Sequence, residues 1–476
     1  MKMMVNLKRL FPLCLVLILS VFIVSACQLD TEGTSEVALT GLSPNEINNE
    51  AFQDLFPLHY ASYQKNLEMS DTKFGGSVLA SKFEHNREPY APILFNGYGF
   101  AKEYNEDRGH IYAVEDNISI ARINDKSIAS CFTCKSSAVP SMIDQFGDEF
   151  WTKNFRNEII PLAEEMGHSP IGCSDCHDPE TMELQVTRPM FATAMLEKGE
   201  DISNPTLNEM RTYVCAQCHV EYYFEPENKA VTFPWSEGYQ PEEMFEYYET
   251  IAMESGFSKD WIHNVSGAPM LKSQHPEYET WAEGTHGKAE VSCSDCHMPY
   301  TREDDRKKIT SHYWTSPLKT IEQSCRTCHA DQTEDELKDK VESIQDMNKD
   351  ALDKAGDILL TSHYYVNKMI TSGVPEDKIK QAQDLVRMGQ WFWDMVSAEN
   401  STGFHNPQGS MDSLKTSVEA SNEAIILATE ELVKFDVNID ELKEEIEKVK
   451  KAVYDEPDNF KKNEHATNDY FPPQKN

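Results

Sequence analysis

Unpaired cysteines and long apolar runs are both nearly absent from this 476-residue chain. Ten of its 12 cysteines stand in pairs separated by two residues, and only Cys14 and Cys27 lie outside such pairs. After the first apolar stretch, which ends at Val24, no segment is apolar over the ~20 positions that a membrane-spanning helix needs. Structural disulfides and later membrane helices are therefore not expected to hold this fold together.

Basic residues are also scarce. The chain has 80 acidic against 44 basic residues and a formal net charge of −36. Nucleic acid is excluded as a partner, because a polyanion needs a basic face. The acidic surface suits a partner with a basic docking patch, whereas a small anionic substrate would need a local group of Lys and Arg.

The ten paired cysteines form five CxxC motifs, and four of these are followed directly by histidine. A CxxCH run attaches a c-type haem through two thioether bonds and supplies one iron ligand. Zinc ribbons use such pairs two at a time, which leaves one of five without a partner, and a redox dithiol is the other alternative. We expect five covalently bound haem c groups, on Cys131, Cys134, Cys173, Cys176, Cys215, Cys218, Cys293, Cys296, Cys325 and Cys328, with axial His177, His219, His297 and His329.

The first motif, Cys131-Phe-Thr-Cys134-Lys135, has lysine where the others have histidine. Taken alone, this motif would also fit a redox-active pair of thiols next to an ordinary surface lysine. Next to four haem motifs, it predicts a haem whose iron is ligated by Lys135. A ligating lysine must be neutral, and burial favours the neutral form. Because its iron ligand is unusual, we expect this haem to be the site of catalysis.

The N-terminus has the pattern of a targeting signal, with Lys2, Lys8 and Arg9 before an apolar run from Leu10 to Val24. Val24-Ser-Ala-Cys27 resembles a lipobox, so we expect residues 1–26 to be a lipoprotein signal peptide and Cys27 to be lipidated. An uncleaved anchor helix is the alternative. Covalent haem attachment also implies an extracytoplasmic location, in the periplasm or on the outer face of the cell membrane, lipid-anchored.

The sequence pattern predicts a mainly α protein. Together with the haem motifs, it predicts a multihaem cytochrome with a haem-packed core of short helices and loops, plus long C-terminal helices. After the signal we expect a flexible tether at 27–50 and a pentahaem catalytic region at 51–330. A long-helix region at 331–455 would complete the core and form a probable dimer interface. A polar tail would occupy 456–476.

Four helices are predicted in the long-helix region. The first follows the Thr333-x-x-Glu336 capping box, and the second runs from Pro375 to about Ala398. The third carries an apolar seam from Leu414 to Leu432, and the fourth one from Leu442 to Val453. Such seams are either core or a face that packs against a second copy, and we expect a homodimer.

Two runs closely resemble the pentahaem cytochrome c nitrite reductases, the ammonia-forming family. They are Cys215-Ala-Gln-Cys218-His-Val-Glu-Tyr-Tyr-Phe224 and Lys272-Ser-Gln-His-Pro-Glu-Tyr-Glu-Thr-Trp281. The CxxCK motif, Arg108-Gly-His110 and Cys296-His-Met-Pro299 also match. The resemblance covers residues 50–455, and it is strong in the haem region and weaker in the C-terminal helices.

The resemblance implies a second axial histidine for each CxxCH haem. These ligands fall on His312 for the second motif, His110 for the third, His405 for the fourth and His286 for the fifth; the residues flanking His405 agree least. The remaining histidines have no assigned role: His59, His85, His168, His263, His363 and His465.

The resemblance also implies an active site of Arg122, Tyr222 and His275 opposite Lys135. Arg122, and His275 when protonated, would attract an anion, while His275 and Tyr222 would relay protons. From the residues alone, a buried arginine on a haem propionate and an ordinary core Tyr or His are the better interpretation, and only the resemblance favours the catalytic roles. One calcium ion would be held by the Glu221 carboxylate, the Tyr222 and Lys272 carbonyls and the Gln274 side chain.

The implied function is dissimilatory six-electron reduction of nitrite to ammonium at the lysine-ligated haem, fed by four bis-His haems. The implied electron donor is a membrane quinol-oxidising multihaem cytochrome. Two alternatives stay open: an electron conduit without a reaction of its own, and a multihaem reductase of hydroxylamine, sulfite or tetrathionate.

Overall fold

The computed structural model describes residues 39–84, 87–167, 169–303 and 307–455. The predicted signal, the lipidated Cys27, most of the tether and the polar tail lie outside these ranges. The described residues from Leu42 onward belong to one compact unit. Within the described ranges, no helix is both long and apolar enough to cross a membrane.

Short helices separated by loops make up the chain as far as residue 330. Many begin with proline in the first turn, where its missing N–H costs nothing. In chain order they are α1 Pro57–Gln64, α2 Ala91–Leu94, α3 Ala113–Ser119, α4 Val139–Phe146, α5 Ile160–Glu165, α6 Cys173–Cys176, α7 Pro189–Lys198, α8 Leu207–Ala216, α9 Pro241–Glu249, α10 Ile251–Glu254, α11 Glu277–Ala282, α12 Thr285–Lys288, α13 Cys293–His297 and α14 Ile321–Ser324.

The strands of the described residues form four separate antiparallel pairs, most of them two residues long. They are β1 Asp71–Thr72 with β2 Gly75–Gly76, β3 Tyr223–Phe224 with β4 Val231–Thr232, β5 Trp261–Ile262 with β6 Pro269–Met270, and β7 Tyr300–Glu303 with β8 Lys307–Thr310. Ladders this short cannot provide a sheet core. The prediction of a mainly α protein is confirmed.

The four predicted long helices are present, as α15 Glu334–Ser372, α16 Glu376–Ser397, α17 Pro407–Val433 and α18 Ile439–Asp455. The Thr333 hydroxyl accepts from the Glu336 N–H, and the Glu336 carboxylate accepts from the Thr333 N–H, so the predicted capping box starts α15. Gly373, at φ 77°, ends this helix in a left-handed conformation that favours glycine. With 39 residues, α15 is about 58 Å long.

Helices α16 and α17 cross closely because small residues meet at the crossing. A Cβ atom on Gly389 would lie 2.7 Å from the Ser421 hydroxyl oxygen and 3.3 Å from the Ser417 carbonyl oxygen, so only glycine fits there. The buried face of α17 consists mostly of serine and alanine, including Ser413, Ala424 and Ala428. Helix α15 contacts both α16 and α17, so these three long helices pack together as a bundle.

Two apolar cores lie on opposite sides of α16. Trp393 and Val396 belong to the core that contains the long helices, together with residues 91–104 and 261–270. Trp391, Phe392 and Met395 belong to the core built from the short helices of residues 114–278. Helix α16 therefore joins the other long helices to the region that carries the cysteine motifs.

Candidate haem and active site

Each CxxCH motif is wound as a helical turn, which puts its three chemical groups on one side. Residues i, i+3 and i+4 of a helix share a face, so two thiols and an imidazole point the same way. The histidine N–H closes this turn on the carbonyl of the first cysteine in three motifs: His177 to Cys173 at 2.9 Å, His219 to Cys215 at 3.0 Å and His329 to Cys325 at 3.0 Å.

The lysine motif is wound more tightly. The Lys135 N–H donates to the Phe132 carbonyl at 3.0 Å, three residues back instead of four. The 3₁₀ turn Ala129–Phe132 leads directly into it. Lysine therefore leaves the motif from a different point on the turn than the histidines do.

Every CxxCH histidine faces the second histidine expected for its haem. A nitrogen ligand lies about 2 Å from a transition metal, so two imidazoles on opposite sides of one iron have ring centres about 6 Å apart. The observed separations of ring centres are 6.3 Å for His177 and His312, 5.8 Å for His219 and His110, 6.3 Å for His297 and His405, and 6.4 Å for His329 and His286. These pairs fit bis-His haems.

Several of these imidazoles have Nδ1 against a main-chain carbonyl, which leaves Nε2 for a metal. The partners are Met182 for His177 at 2.8 Å, Thr310 for His312 at 3.0 Å and Thr315 for His297 at 3.3 Å. His405 differs, because its Nδ1 lies 2.6 Å from a carboxylate oxygen of Glu399.

The thiols of different motifs lie next to one another, which gives the order of the haem sites. Cys134 of the first motif lies beside Cys218 of the third, and each thiol shifts the pKa of the other. Cys215 of the third motif and Cys293 of the fourth form a second such pair. Burial raises the pKa of Cys296 to about 12, and Cys325 of the fifth motif adds to this shift. Motifs one, three, four and five therefore form a continuous series.

Arg188 ties the first three motifs together and was not foreseen from the sequence. It is fully buried and donates to the Thr133 carbonyl at 2.9 Å, the Ser136 carbonyl at 3.0 Å and the Asp175 carboxylate at 2.7 Å. Its own N–H donates to the Gln217 side chain at 3.0 Å. Thr133, Asp175 and Gln217 are the second intervening residues of three CxxC motifs, so one arginine holds all three in register.

Arg122 is held by the loop at residues 99–103. Its guanidinium lies 4.3 Å from the centre of the Phe100 ring, and Nη1 donates to the Glu103 carbonyl at 3.3 Å. A Cβ atom on Gly99 would lie 3.0 Å from Arg122 Cβ, so glycine lets the loop approach the arginine. These contacts are to an aromatic ring and a carbonyl oxygen, neither of which neutralises the guanidinium charge.

Tyr222 lies beside both Arg122 and the lysine motif. Burial raises the pKa of Tyr222 well above its usual value, Cys134 and Cys131 raise it further, and Arg122 opposes them. The side chain is therefore a phenol near neutral pH and can donate a proton or a hydrogen bond. The structure thus brings together Arg122, Tyr222 and the first motif.

His275 is close to Lys135. Burial lowers the pKa of His275 to about 4, with Lys135 contributing, while Glu277 and Asp107 oppose the shift. A histidine with this pKa is neutral near pH 7, so Arg122 carries the positive charge expected on this side of the site. Asp107 was missed from the sequence, although it stands only three residues before His110.

Three of the four residues expected to hold calcium, Glu221, Lys272 and Gln274, are joined by hydrogen bonds. Buried Glu221 accepts from the Tyr248 hydroxyl at 2.8 Å and from the Gln274 N–H at 2.5 Å, and Gln274 Nε2 donates to the Lys272 carbonyl at 3.3 Å. Burial raises the pKa of Glu221 well above its usual value. A desolvated carboxylate of this kind is stabilised by a cation, and oxygen donors suit calcium.

The Lys272 side chain points away from this donor set. Its ammonium lies 2.8 Å from the Asp394 carboxylate of α16, and both side chains are fully buried. The Lys272 N–H donates to Asp260 at 2.9 Å. Only the main chain of Lys272 is thus directed to the expected metal site. Among the described residues, no group of three or more His, Cys, Asp or Glu side chains is placed to hold a metal.

Three of the histidines without an assigned role are described, and two of them are structural. The rings of His263 and His363 stack at 3.8 Å in the core. His363 contacts the Ser266 hydroxyl and the Gln390 side chain, and His263 contacts the Ile93 carbonyl, so their polar atoms are satisfied. The His59 ring lies 5.3 Å from that of His312. His85, His168 and His465 lie outside the described residues.

The chain is similar to known cytochromes c. The profile of the cytochrome c552 family matches residues 48–475. The chain is 42% identical over 452 residues to the cytochrome c nitrite reductase subunit NrfA of Nitratidesulfovibrio vulgaris, covering 89% of this chain and 86% of that protein. It is 37% identical to a cytochrome c-552 of Bacteroides thetaiotaomicron, over 82% of this chain and 78% of that protein.

A solved structure has the same fold. Cytochrome c nitrite reductase NrfA from Desulfovibrio desulfuricans, a catalytic subunit with two calcium sites, matches with a TM-score of 0.77 and 39% identity, over 85% of this chain and 91% of that one. A cytochrome c protein binds haem c, which is the chemistry that the CxxCH motifs predict. On its profile, its identity to these proteins and its fold, the chain belongs to the cytochrome c552 family.

Proposed function

We propose that this protein reduces nitrite to ammonium at a haem held by Cys131, Cys134 and Lys135. One contrast carries the proposal. Each CxxCH histidine faces a second histidine, whereas the lysine motif is accompanied by Arg122, Tyr222 and His275. The similarity to the NrfA nitrite reductases supports the same reading.

Bound haem supplies the iron to which nitrite binds and the electrons that reduce it. The chain's own task begins with attracting an anion into a molecule of net charge −36. The Arg122 guanidinium offers a positive charge and a planar set of N–H donors to the two nitrite oxygens. The same donors stabilise negative charge on oxygen as an N–O bond breaks.

Proton delivery falls to Tyr222 and His275. Six electrons and eight protons are needed per nitrite, so protons must be replaced repeatedly at one place. The raised pKa keeps Tyr222 protonated, and neutral His275 has one N–H donor and one acceptor nitrogen. Such a pair can donate a proton to the substrate and then take up another proton from the side that faces away from the substrate.

The four bis-His haem sites serve as the electron supply. Thiols of the first and third motifs are in contact, as are those of the third and fourth, and the fifth adjoins the fourth. Cys176 of the second motif lies near Cys218 of the third. Electrons entering at any of the four sites would therefore reach the lysine site without leaving the protein. Because one haem stores one electron, a neighbouring series is needed to complete six.

The other expected components complete the proposal. One Ca²⁺ held by Glu221, Tyr222, Lys272 and Gln274 would position Tyr222 and His275, which belong to the same two segments. The protein would act outside the cytoplasm, anchored by lipid on Cys27, and would take electrons from a membrane quinol-oxidising multihaem cytochrome. A homodimer through the long helices is supported by exposed apolar side chains on them, such as Met347, Ile426 and Val433.

The test is an electron and nitrogen balance on purified holoprotein. Under anaerobic conditions with a reduced dye, we expect six dye electrons to be consumed per nitrite, with ammonium as the nitrogen product. Hydroxylamine and sulfite, assayed in parallel, show whether either is preferred. Redox-active protein that consumes no nitrite would favour an electron conduit, and release of nitric oxide would contradict the proposal.

A further inference from the structure

Glu399 is a buried carboxylate in the loop between α16 and α17, six residues before His405. It accepts from the Ser401 N–H at 3.0 Å and from the Ser401 hydroxyl at 2.6 Å, and the Gly403 N–H lies at 3.5 Å. The remaining contact is His405 Nδ1, at 2.6 Å from Oε1. Every one of these groups is a donor, which is what an ionised, acceptor-only carboxylate requires.

The loop holds both residues in place. The His405 N–H donates to the Ser401 hydroxyl at 2.9 Å, and Gln345 of α15 donates to the Ser401 carbonyl at 3.0 Å. Gly403, at φ 82°, packs directly against Asn348 of α15, where a Cβ atom would overlap the Asn348 amide. The loop is therefore clamped to α15, and the carboxylate stays next to the imidazole.

The ring of His405 is close to Glu399, but its Nδ1 is not aligned for a hydrogen bond with the carboxylate, so the charge of Glu399 acts on the ring through space. If Nε2 held an iron atom, the contact between Nδ1 and Glu399 would help to set the orientation of the ring. Three other expected axial histidines have only a neutral carbonyl at Nδ1, as described above. A carboxylate also lies near His219, whose Nδ1 is 3.8 Å from Glu277 Oε2, but the carboxylate behind His405 is much closer, at 2.6 Å.

We propose that Glu399 is a positioning residue that holds His405 on the fourth haem and lowers the reduction potential of that haem. A carboxylate behind an axial imidazole makes it a stronger electron donor, which stabilises the oxidised iron. The inference rests on the proposed function only in taking His405 as an iron ligand.

A low potential at this position has a consequence for the series of haems. The fourth motif lies between the third and the fifth, so electrons cross it on their way between them. A haem that is hard to reduce passes electrons on without storing them. Glu399 would therefore keep the stored electrons on the neighbouring haems.

The test compares Glu399→Gln with Ser401→Ala in holoprotein. Glu399→Gln removes the charge with little change of shape, whereas Ser401→Ala removes hydrogen bonds in the same loop and keeps the charge. Potentiometric titration followed by electron paramagnetic resonance reports the low-spin haems separately. No nitrite is used, so the result does not depend on whether the protein reduces nitrite.

We expect Glu399→Gln to retain all haems and to raise the potential of one of them. At that haem's wild-type midpoint, the ratio of reduced to oxidised haem should rise about tenfold, which corresponds to about 59 mV for one electron. Ser401→Ala should leave the potential near wild type. Unchanged potentials in Glu399→Gln, or an equal shift in Ser401→Ala, would overturn the inference.

A charge-retaining variant covers the case in which Glu399→Gln fails to fold. Glu399→Asp keeps the negative charge in the loop, and we expect its fourth haem to remain low-spin with a potential nearer to wild type than to the neutral variant. Loss of the low-spin signal of one haem in Ser401→Ala but not in Glu399→Asp would assign the holding role to the serine and contradict the proposal.

Discussion

Arg188 and Asp175 form an ion pair at 2.7 Å in which the arginine is 0% and the aspartate 3% exposed. The pair does more than neutralise two buried charges. Asp175 also accepts from the Gly172 N–H and from the Ser137 hydroxyl, while Arg188 reaches the Thr133 carbonyl. The first and second cysteine motifs are thereby held together around this buried pair.

Arg188→Met should destabilise the holoprotein by about 3–5 kcal/mol, because it leaves the Asp175 charge buried and unpaired. Arg188→Met/Asp175→Asn should recover part of that loss. Denaturant unfolding followed by far-ultraviolet circular dichroism measures both. Lys380→Ala is the control, because it breaks an exposed pair with Asp384 and should cost under about 1 kcal/mol. Similar losses for Arg188→Met and Lys380→Ala would contradict this account.

Glu221→Ala should lower calcium content and nitrite reduction together while leaving every haem attached. The reason is that Glu221 is the only charged ligand in the proposed set. Calcium is measured by atomic spectrometry on the holoprotein. Glu279→Gln is a matched control, since Glu279 is a buried carboxylate that contacts the Glu221 N–H at 2.8 Å but lies outside the donor set. Unchanged calcium content in Glu221→Ala would mean that the site is elsewhere.

Calcium binding should also weaken on acidification. Burial raises the pKa of Glu221, so without metal the folded protein binds a proton there at a pH where an exposed glutamate is ionised. Calcium must displace that proton, so its apparent affinity falls as the pH falls through the raised pKa. Calcium titration from pH 8 to pH 5 measures the effect, and an affinity independent of pH over that range would argue against Glu221 as a ligand.

His275→Asn and His286→Asn should fail in different ways. His275 is placed beside Lys135 without ligating iron, so its loss should leave the low-spin haem signals intact and slow nitrite reduction by ~10²–10⁴-fold. His286 faces His329, so its loss should remove the second axial ligand of one bis-His haem and change the spectrum and potential of that haem. Haem spectra during dithionite reduction, compared with turnover on nitrite, separate the two. A missing low-spin signal in His275→Asn would contradict its assignment.

The features predicted best from the sequence are helices with local start signals or apolar seams, and sites that a short motif marks. The capping box at Thr333 and the seam from Leu442 to Val453 give α15 and α18 directly, because a helix is read from its own residues. The family resemblance supplies the distal histidines, which spacing alone leaves undecided among many. His110 and His219 lie 5.8 Å apart between ring centres although 109 positions separate them, and no local pattern encodes such a contact.

The features that were missed are buried polar contacts between distant segments. Arg188 follows no motif, and its partners are the variable positions inside CxxC pairs. Glu399 lies in a loop whose shape depends on Gln345 and Asn348 of α15. Side chains of this kind are identified by the groups that they meet after folding, so their roles become visible only in the structure.

The central claim is that the haem of the lysine motif, and no other, receives the substrate. Nitrite titration of the oxidised holoprotein, followed by electron paramagnetic resonance and normalised to haem content by mass spectrometry, tests it most directly. The account predicts five haems per chain, of which one changes its signal with nitrite while four low-spin signals stay as they were. A response from a bis-His haem, or no response from any haem, would contradict it.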